Sequence, residues 1–134
     1  MEHDESAVIS THVEATPERV WAALTDADAL AAWYWPQSVH PIAKSDPVAG
    51  GRFGISGDGM GFEGEYVELD FPERIVQAWR WLGDDRDSRV TISLTARGRG
   101  TDLVVVHDLV DAATAEMYRA GWESCLGRLP AHLG

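Results

Sequence analysis

Cysteine is almost absent from this sequence, which contains only Cys125. A single cysteine can form neither an internal disulfide nor a multi-thiolate zinc site, so we expect a reducing compartment. On the C-terminal helix that the sequence predicts, Cys125 lies near the middle of the buried face. That position favours a small packed side chain over a reactive thiol.

Long apolar runs are also absent, and none approaches the length that crosses a bilayer. Residues 1–5 are acidic, whereas a secretory signal begins with basic residues. We therefore expect a cytoplasmic protein without membrane insertion.

Basic residues are half as numerous as acidic ones. The chain has 11 lysine and arginine residues against 22 aspartate and glutamate residues, a net charge of −11. A field of this sign repels nucleic-acid phosphates and anionic lipids. The densest basic pair, Arg97 and Arg99, flanks Gly98 at a predicted hairpin turn. We expect no nucleic-acid partner.

Motifs for metal and phosphate binding are lacking too. The five histidines are scattered, without the spacing of metal ligands. The glycines of residues 57–61 lie between predicted strands and do not open a helix, as a phosphate-binding loop requires. We expect no metal and no cofactor.

The chain has 134 residues, 45% of them hydrophobic, which predicts one globular domain over residues 1–134. Its most informative segment is residues 111–133, where helical periodicity predicts one long amphipathic helix. The apolar or small residues of one face are Thr114, Tyr118, Gly121, Trp122, Cys125 and Leu129. This uneven face, packed over a curved sheet, can leave a cavity.

The N-terminal third predicts a strand followed by two short helices. Residues 6–14 alternate loosely as in a strand. Thr16 followed by Pro17 is typical of a helix start, and Asp26 starts a second helix that ends before Pro36.

Six strand signals then precede the C-terminal helix. Strand-like sequence begins at Val39, and further strands are predicted from residue 50 and at 62–70, 74–82, 88–96 and 101–109. Alternation places Tyr66 and Glu68 on one face of their strand. The order β-α-α, six strands, α is an α+β arrangement in which an antiparallel meander buries its inner face on the long helix.

Several segments resemble one known superfamily in the right order. Residues 15–26, then Leu30, Trp33 and Pro36, are similar to the opening motif of the START-like (SRPBCC) superfamily, in the branch related to the activator of heat-shock protein 90 ATPase. Similar blocks follow at residues 50–53, 64–70, 72–75, 101–107 and 121–122. The resemblance covers nearly the whole chain.

This resemblance implies a helix-grip fold, in which a curved antiparallel sheet wraps around a long C-terminal helix and leaves a cavity. The superfamily includes lipid carriers, plant hormone receptors, aromatic polyketide cyclases and ring-hydroxylase subunits. Its chaperone-related branch implies a chaperone as an alternative partner.

Aromatic residues are the main candidates for the cavity wall. The sequence has six tryptophans, and aromatic side chains shape flat apolar pockets. For Trp21 and Trp122 core packing is favoured, whereas for Trp33 and Trp35 packing and pocket lining are equally plausible. The predicted ligand-binding residues are Trp33, Trp35, Phe53, Phe62, Tyr66, Trp79, His107, Tyr118 and Trp122.

His107 is the one catalytic candidate, and no catalytic residue is assigned. It shares the inward face of its strand with Leu103 and Val105, and a near-neutral pKa suits proton transfer. A hydrogen-bonded core histidine is the favoured alternative. His12 is a candidate for the neighbouring polar group.

Three functions are compatible with the predicted fold and these candidate residues. The favoured one is binding of a small hydrophobic or aromatic ligand, lipid- or polyketide-like, between sheet and helix. The second is a metal-independent cyclase or dehydratase in which His107 moves a proton and Tyr66 or Tyr118 orients the substrate. The third is a stand-alone co-chaperone-like interaction domain, with a monomer or homodimer expected throughout. This ranking rests on analogy within the fold.

Overall fold

The computed structural model describes residues 5–134, so residues 1–4 of the predicted domain lie outside the described residues. It contains seven strands and four α-helices, with a short 3-10 helix at Gln37–Val39. Their bounds are β1 Glu5–Val13, α1 Pro17–Thr25, α2 Ala27–Trp33, β2 Ile42–Ser45, β3 Arg52–Gly57, β4 Met60–Asp70, β5 Arg74–Trp81, β6 Ser88–Arg97, β7 Gly100–Val110, α3 Ala112–Leu126 and α4 Leu129–Leu133.

All seven strands form one antiparallel sheet in the order β1-β7-β6-β5-β4-β3-β2. Helix α3 packs against β1 and β7, whereas α1 contacts β6 and α2 contacts β2. The sheet is open and curved around the C-terminal helix, so the predicted α+β helix-grip fold is confirmed.

The helix starts follow from local capping. Thr16 Oγ1 accepts a hydrogen bond from the Arg19 amide at 3.3 Å, and Pro17 occupies the first turn of α1. Asp26 Oδ2 accepts from the Ala29 amide at 2.9 Å and begins α2. Asp111 Oδ1 accepts from the Thr114 amide at 2.8 Å and begins α3. Each cap satisfies an amide that the first turn leaves without a partner.

The predicted C-terminal helix is two helices. Helix α3 ends at Leu126 and α4 begins at Leu129. Pro130 explains the break, because its ring would clash with the carbonyl of Leu126, four residues earlier, and it has no amide to donate. The periodicity of apolar residues continued across this point and concealed the interruption.

Two strand predictions also need correction. The segment from Val39 starts with the end of a 3-10 helix, and β2 begins only at Ile42, after Pro41. In β4 a bulge inserts Val67 between Tyr66 and Glu68, so Tyr66 is fully buried while Glu68 is exposed. Strict alternation fails there because a bulge shifts the inward face by one residue.

Gly64 allows β4 to approach its neighbour closely. A Cβ at this position would collide with the carbonyl oxygen of Ala78 on β5 and lie 2.8 Å from Phe53 Cζ. Phe53 therefore packs over a position that holds no side chain. A glycine inside a strand often marks such a close approach of a neighbouring backbone.

Within residues 5–134, none of the helices combines the length and apolar character that a membrane crossing requires.

Candidate functional site

A cavity of about 410 Å³ opens between α3 and one end of the sheet. This volume lies within the range of small-molecule sites. Helix α3 forms one wall through residues that recur at helical spacing, namely Thr114, Met117, Tyr118, Gly121, Trp122 and Cys125. Apart from the adjoining residues and backbone of α3, no described atom lies within 4 Å of a Cβ built on Gly121, so this wall is recessed in the middle.

The opposite wall comes from the end of α2, from β4 and β5, and from the loop after β5. Its residues are Tyr34, Trp35, Phe62, Trp79, Trp81 and Asp84. Phe62 and Trp79 stack with ring centroids 4.5 Å apart, and Trp35 meets Trp81 at 6.1 Å. Seven of the twelve lining residues across both walls are aromatic. Among the described residues, the lining has one carboxylate, that of Asp84, and no basic side chain.

Arg128 fixes the segment that leads from α2 into the cavity wall. Its Nη2 donates to the Tyr34 carbonyl oxygen at 2.7 Å, and its Nε donates to the Trp33 carbonyl oxygen at 3.2 Å. The side chain of Trp33 is anchored separately, since its Nε1 donates to the Ala23 carbonyl oxygen at 2.8 Å. Tyr34 and the adjoining Trp35 are therefore placed by contacts from the junction between α3 and α4.

His107 lies behind the α3 wall in a closed hydrogen-bond chain. The indole Nε1 of Trp122 donates to His107 Nδ1 at 3.1 Å. Because an indole N–H can only donate, the ring proton of a neutral His107 resides on Nε2. That nitrogen donates to Ser88 Oγ at 2.7 Å, and the Ser88 hydroxyl donates to the Trp79 carbonyl oxygen at 3.1 Å.

Burial keeps this imidazole neutral. The side chain is 0% exposed, and desolvation lowers the pKa of His107 from 6.5 to about 4, against a small opposing effect of Asp108. Tyr118 stacks on the ring at 4.2 Å and separates it from the cavity. Both nitrogens are engaged, so the group holds Trp122 in place and has no site left for a substrate proton.

His12 does not neighbour His107. It pairs with Asp102 on β7 and faces outward, where Nδ1 lies 2.8 Å from Asp102 and Nε2 lies 2.9 Å from Glu14. Hydrogen bonds to Asp102 and then Glu14 raise the pKa of His12.

Trp79 differs from Trp122 in its hydrogen bonding. Its side chain is 4% exposed, and its Nε1 has no hydrogen-bond partner. Within residues 5–134 it is the one buried side-chain nitrogen or oxygen without a partner.

The Cys125 thiol is also buried. Burial raises the pKa of this thiol strongly, so it stays protonated beside the Tyr34 hydroxyl.

The inner part of the gap between sheet and helices is filled by side chains. A space of only about 20 Å³ is left beneath Tyr34, Phe62 and Trp122, where Phe53 and Tyr66 occupy the interior. The Tyr66 hydroxyl and Ser45 Oγ are 2.7 Å apart. A ligand therefore has room at the open end of the space between α3 and the sheet, and not deeper inside it.

The predicted ligand-binding residues fall into two groups. The structure brings Trp35, Phe62, Trp79, Tyr118 and Trp122 together around the cavity. It places Trp33, Phe53, Tyr66 and His107 in the interior, away from that lining. Contact of any of these residues with a ligand stays a prediction.

Sequence reasoning overlooked four lining residues. Tyr34 follows the last residue of α2, and Trp81 is the last residue of β5; neither was among the predicted ligand-binding residues. Asp84 stands in a turn and Met117 is 69% exposed, so neither belongs to an apolar pattern. A useful signal was available in the run Trp33-Tyr34-Trp35, because three successive aromatics at a helix end cannot all be buried in one direction.

A second, larger depression of about 670 Å³ lies on the outside near the start of α1 and the β4–β5 turn. Its lining includes the exposed charged residues Glu18, Asp70, Glu73 and Arg74. None of its lining residues is aromatic, so it lacks the apolar walls that a small hydrophobic ligand requires.

Comparison with known proteins agrees with this architecture. Residues 14–134 match the family described as activator of Hsp90 ATPase homolog 1-like protein. No curated protein sequence matches the chain.

Similar solved structures include protein CV1439 from Chromobacterium violaceum, which is 31% identical with a TM-score of 0.79, over 96% of this chain and 97% of that one. An HSP90 activator from Plasmodium falciparum is 26% identical with a TM-score of 0.81, over 96% of both chains. DynU16, from the dynemicin biosynthetic locus, is 25% identical with a TM-score of 0.84, over 98% of this chain and 48% of DynU16. By the match over residues 14–134, the chain belongs to the activator of Hsp90 ATPase homolog 1-like family.

Proposed function

We propose that this protein binds a small hydrophobic or aromatic molecule, lipid- or polyketide-like, in the cavity between α3 and the ends of β4 and β5. The observation that carries the proposal is the cavity of about 410 Å³ with its aromatic lining, beside an interior that is otherwise filled. The place of DynU16 in a biosynthetic locus agrees with a small-molecule ligand.

The size of the apolar walls sets the affinity to expect. A ligand of two or three fused rings that buries roughly 200 Å² of apolar surface gains about 5 kcal/mol. The loss of ligand motion reduces this gain, and stacking against aromatic rings adds about 0.5–1.5 kcal/mol for each good pair. We therefore expect dissociation constants on the order of micromolar to millimolar for unoptimised aromatic ligands.

Gly121 allows this proposal to be tested without weakening the fold. In Gly121→Leu the new side chain enters the recessed part of the α3 wall, where a Cβ meets no other atom. We expect loss of ligand binding, measured by tryptophan fluorescence quenching or calorimetry against a panel of lipids and aromatic polyketides.

Gly121→Ala is the matched control. It adds one methyl group, leaves most of the cavity open, and should stabilise the helix by up to about 1 kcal/mol. Binding by the alanine variant together with loss in the leucine variant supports the site. If the wild-type protein binds nothing in the panel more tightly than about 1 mM, the proposal fails.

Catalysis ranks second. The cavity could orient a substrate for cyclisation or dehydration, but His107 lies behind Tyr118 with both nitrogens hydrogen-bonded. Tyr118 and Asp84 are the more exposed lining groups that could exchange a proton, since Tyr34 and Cys125 are buried. Turnover of a polyketide-like substrate that survives His107→Gln and is lost in Gly121→Leu would favour this second function.

A chaperone-directed role ranks third and is favoured by the similarity to the HSP90 activator. Such a role would use the acidic exterior, since charge complementarity guides association with basic partner surfaces. It would therefore be insensitive to Gly121→Leu, which separates it from the two cavity-based functions.

A further inference from the structure

We propose that the ligand of this cavity is an organic cation, a protonated amine or quaternary ammonium group on an apolar or aromatic frame. The inference rests on the proposed function and specifies the charge of the molecule bound there. It follows from three features of the lining: aromatic faces, one carboxylate at the mouth, and the absence of lining basic residues.

The aromatic walls can hold a cation without a full set of counter-ions. Trp35 and Trp81 are half-buried and lie at the mouth with their rings tilted by 60°. Trp79 and Tyr118 continue the walls inward, 5.3 Å apart and nearly perpendicular. The electron-rich faces of such rings attract ammonium groups within about 6 Å, and the attraction grows as water is excluded.

Asp84 supplies a carboxylate at the same mouth. Its amide donates to the Trp81 carbonyl oxygen at 3.0 Å, so a tight turn connects the two residues, and both line the cavity. Asp84 Oδ1 accepts from the Arg86 amide at 3.1 Å. Over residues 5–134, Asp84 Oδ2 has no hydrogen bond and the carboxylate forms no ion pair with a basic side chain. One oxygen thus remains available to a cationic ligand.

The charges around the mouth favour the same sign of ligand. Burial raises the pKa of Tyr118 most; Asp84 raises it further, Arg86 then lowers it, and Asp111 raises it by a smaller effect. Two carboxylates therefore act at this hydroxyl against one guanidinium, in a chain whose net charge is −11. A carboxylate ligand would meet Asp84 and no basic residue in the lining, with Arg86 as the opposing charge near the mouth, an arrangement that disfavours anions.

Three probes that share a naphthylmethyl frame separate charge from hydrophobicity. They are (2-naphthylmethyl)trimethylammonium, its neutral carbon analogue 2-neopentylnaphthalene, and the anion 2-naphthylacetate. We expect the cation to bind about 10-fold more tightly than the neutral probe, and the anion to bind most weakly. Dissociation constants are measured by fluorescence titration of the full chain.

Asp84→Asn and Asp85→Asn form a matched pair, since both remove one charge from the same loop and only Asp84 lines the cavity. We expect Asp84→Asn to weaken binding of the cation about 5-fold and to leave the neutral probe unchanged, whereas Asp85→Asn leaves both unchanged. A circular dichroism spectrum confirms that both variants are folded.

The outcomes distinguish this inference from the proposed function. If the neutral probe binds as tightly as the cation, or if both asparagine variants weaken the cation equally, a specific cation site is overturned while a hydrophobic cavity stands. If none of the three probes binds and the wider panel also fails, the proposed function itself is lost.

Discussion

At the scale of single residues, two tryptophans of the cavity wall have opposite hydrogen-bond states. Trp122 donates to the buried His107 Nδ1, whereas Trp79 Nε1 has no partner among the described residues. Replacement by phenylalanine removes a similar volume at both positions. The difference in the free energy of unfolding between the two variants therefore isolates the contribution of one buried hydrogen bond.

We predict that Trp122→Phe lowers the free energy of unfolding by about 1–3 kcal/mol more than Trp79→Phe does, because only the first leaves His107 Nδ1 buried without a donor. Urea unfolding of the two variants measures this difference. Equal losses would mean that the bond from Trp122 to His107 contributes nothing to stability.

At the scale of elements, the C-terminal end of α2 is held by hydrogen bonds from the junction between α3 and α4. Arg128 donates to the carbonyl oxygens of Trp33 and Tyr34, which belong to the last turn of α2 and the residue after it. A positive charge at a helix C-terminus is also favourable because it opposes the helix dipole. The break at Gly127 sets the position from which Arg128 reaches these carbonyls.

We predict that Arg128→Met lowers the free energy of unfolding by about 1–3 kcal/mol and weakens ligand binding, since Tyr34 and Trp35 lose their support. Chemical unfolding and probe titration measure the two effects. The matched control is Arg119→Met, because Arg119 is exposed on α3 and only approaches Glu116 at 3.5 Å. The free energy of unfolding of Arg119→Met should differ from that of the wild type by less than about 0.5 kcal/mol. Similar effects in both variants would contradict a specific role for Arg128.

At the scale of the whole molecule, the buried His107 links stability to pH. Its pKa is about 4 in the folded protein and 6.5 as an ordinary value. Between these values the unfolded chain binds a proton that the folded imidazole does not, so stability falls as the pH decreases from 6.5 to 4. Below pH 4 both states are protonated and this loss is complete.

We predict that this group accounts for about 3 kcal/mol of the stability lost over that interval. Urea unfolding of wild type and His107→Gln across the interval should show a smaller pH dependence in the variant. His12→Gln is the control. The raised pKa of His12 means that its contribution is present below pH 6.5 and is lost as the pH rises further, so its removal leaves the acid-side slope intact. An unchanged slope in His107→Gln would contradict the prediction.

Local sequence signals were sufficient for most of the elements and their order, although not for the break between α3 and α4 or the start of β2. Thr16, Asp26 and Asp111 start helices because each side chain caps an amide close to it in the chain. The inward position of His107 follows from alternation along a single strand. These features depend on neighbours within a few residues, which the sequence contains in full.

The cavity itself depends on contacts between distant parts of the chain. Asp84, Tyr34 and Met117 come from a turn, a helix end and an exposed helix face, and no local period connects them. Likewise, the bulge at Val67 moved Glu68 outward, and Trp122 with Ser88 engaged both nitrogens of His107. Only the packing of α3 across the sheet decided which side chains fill the space between helix and sheet and where a cavity remains. Cavity volume and long-range hydrogen-bond pairing are properties of the assembled fold.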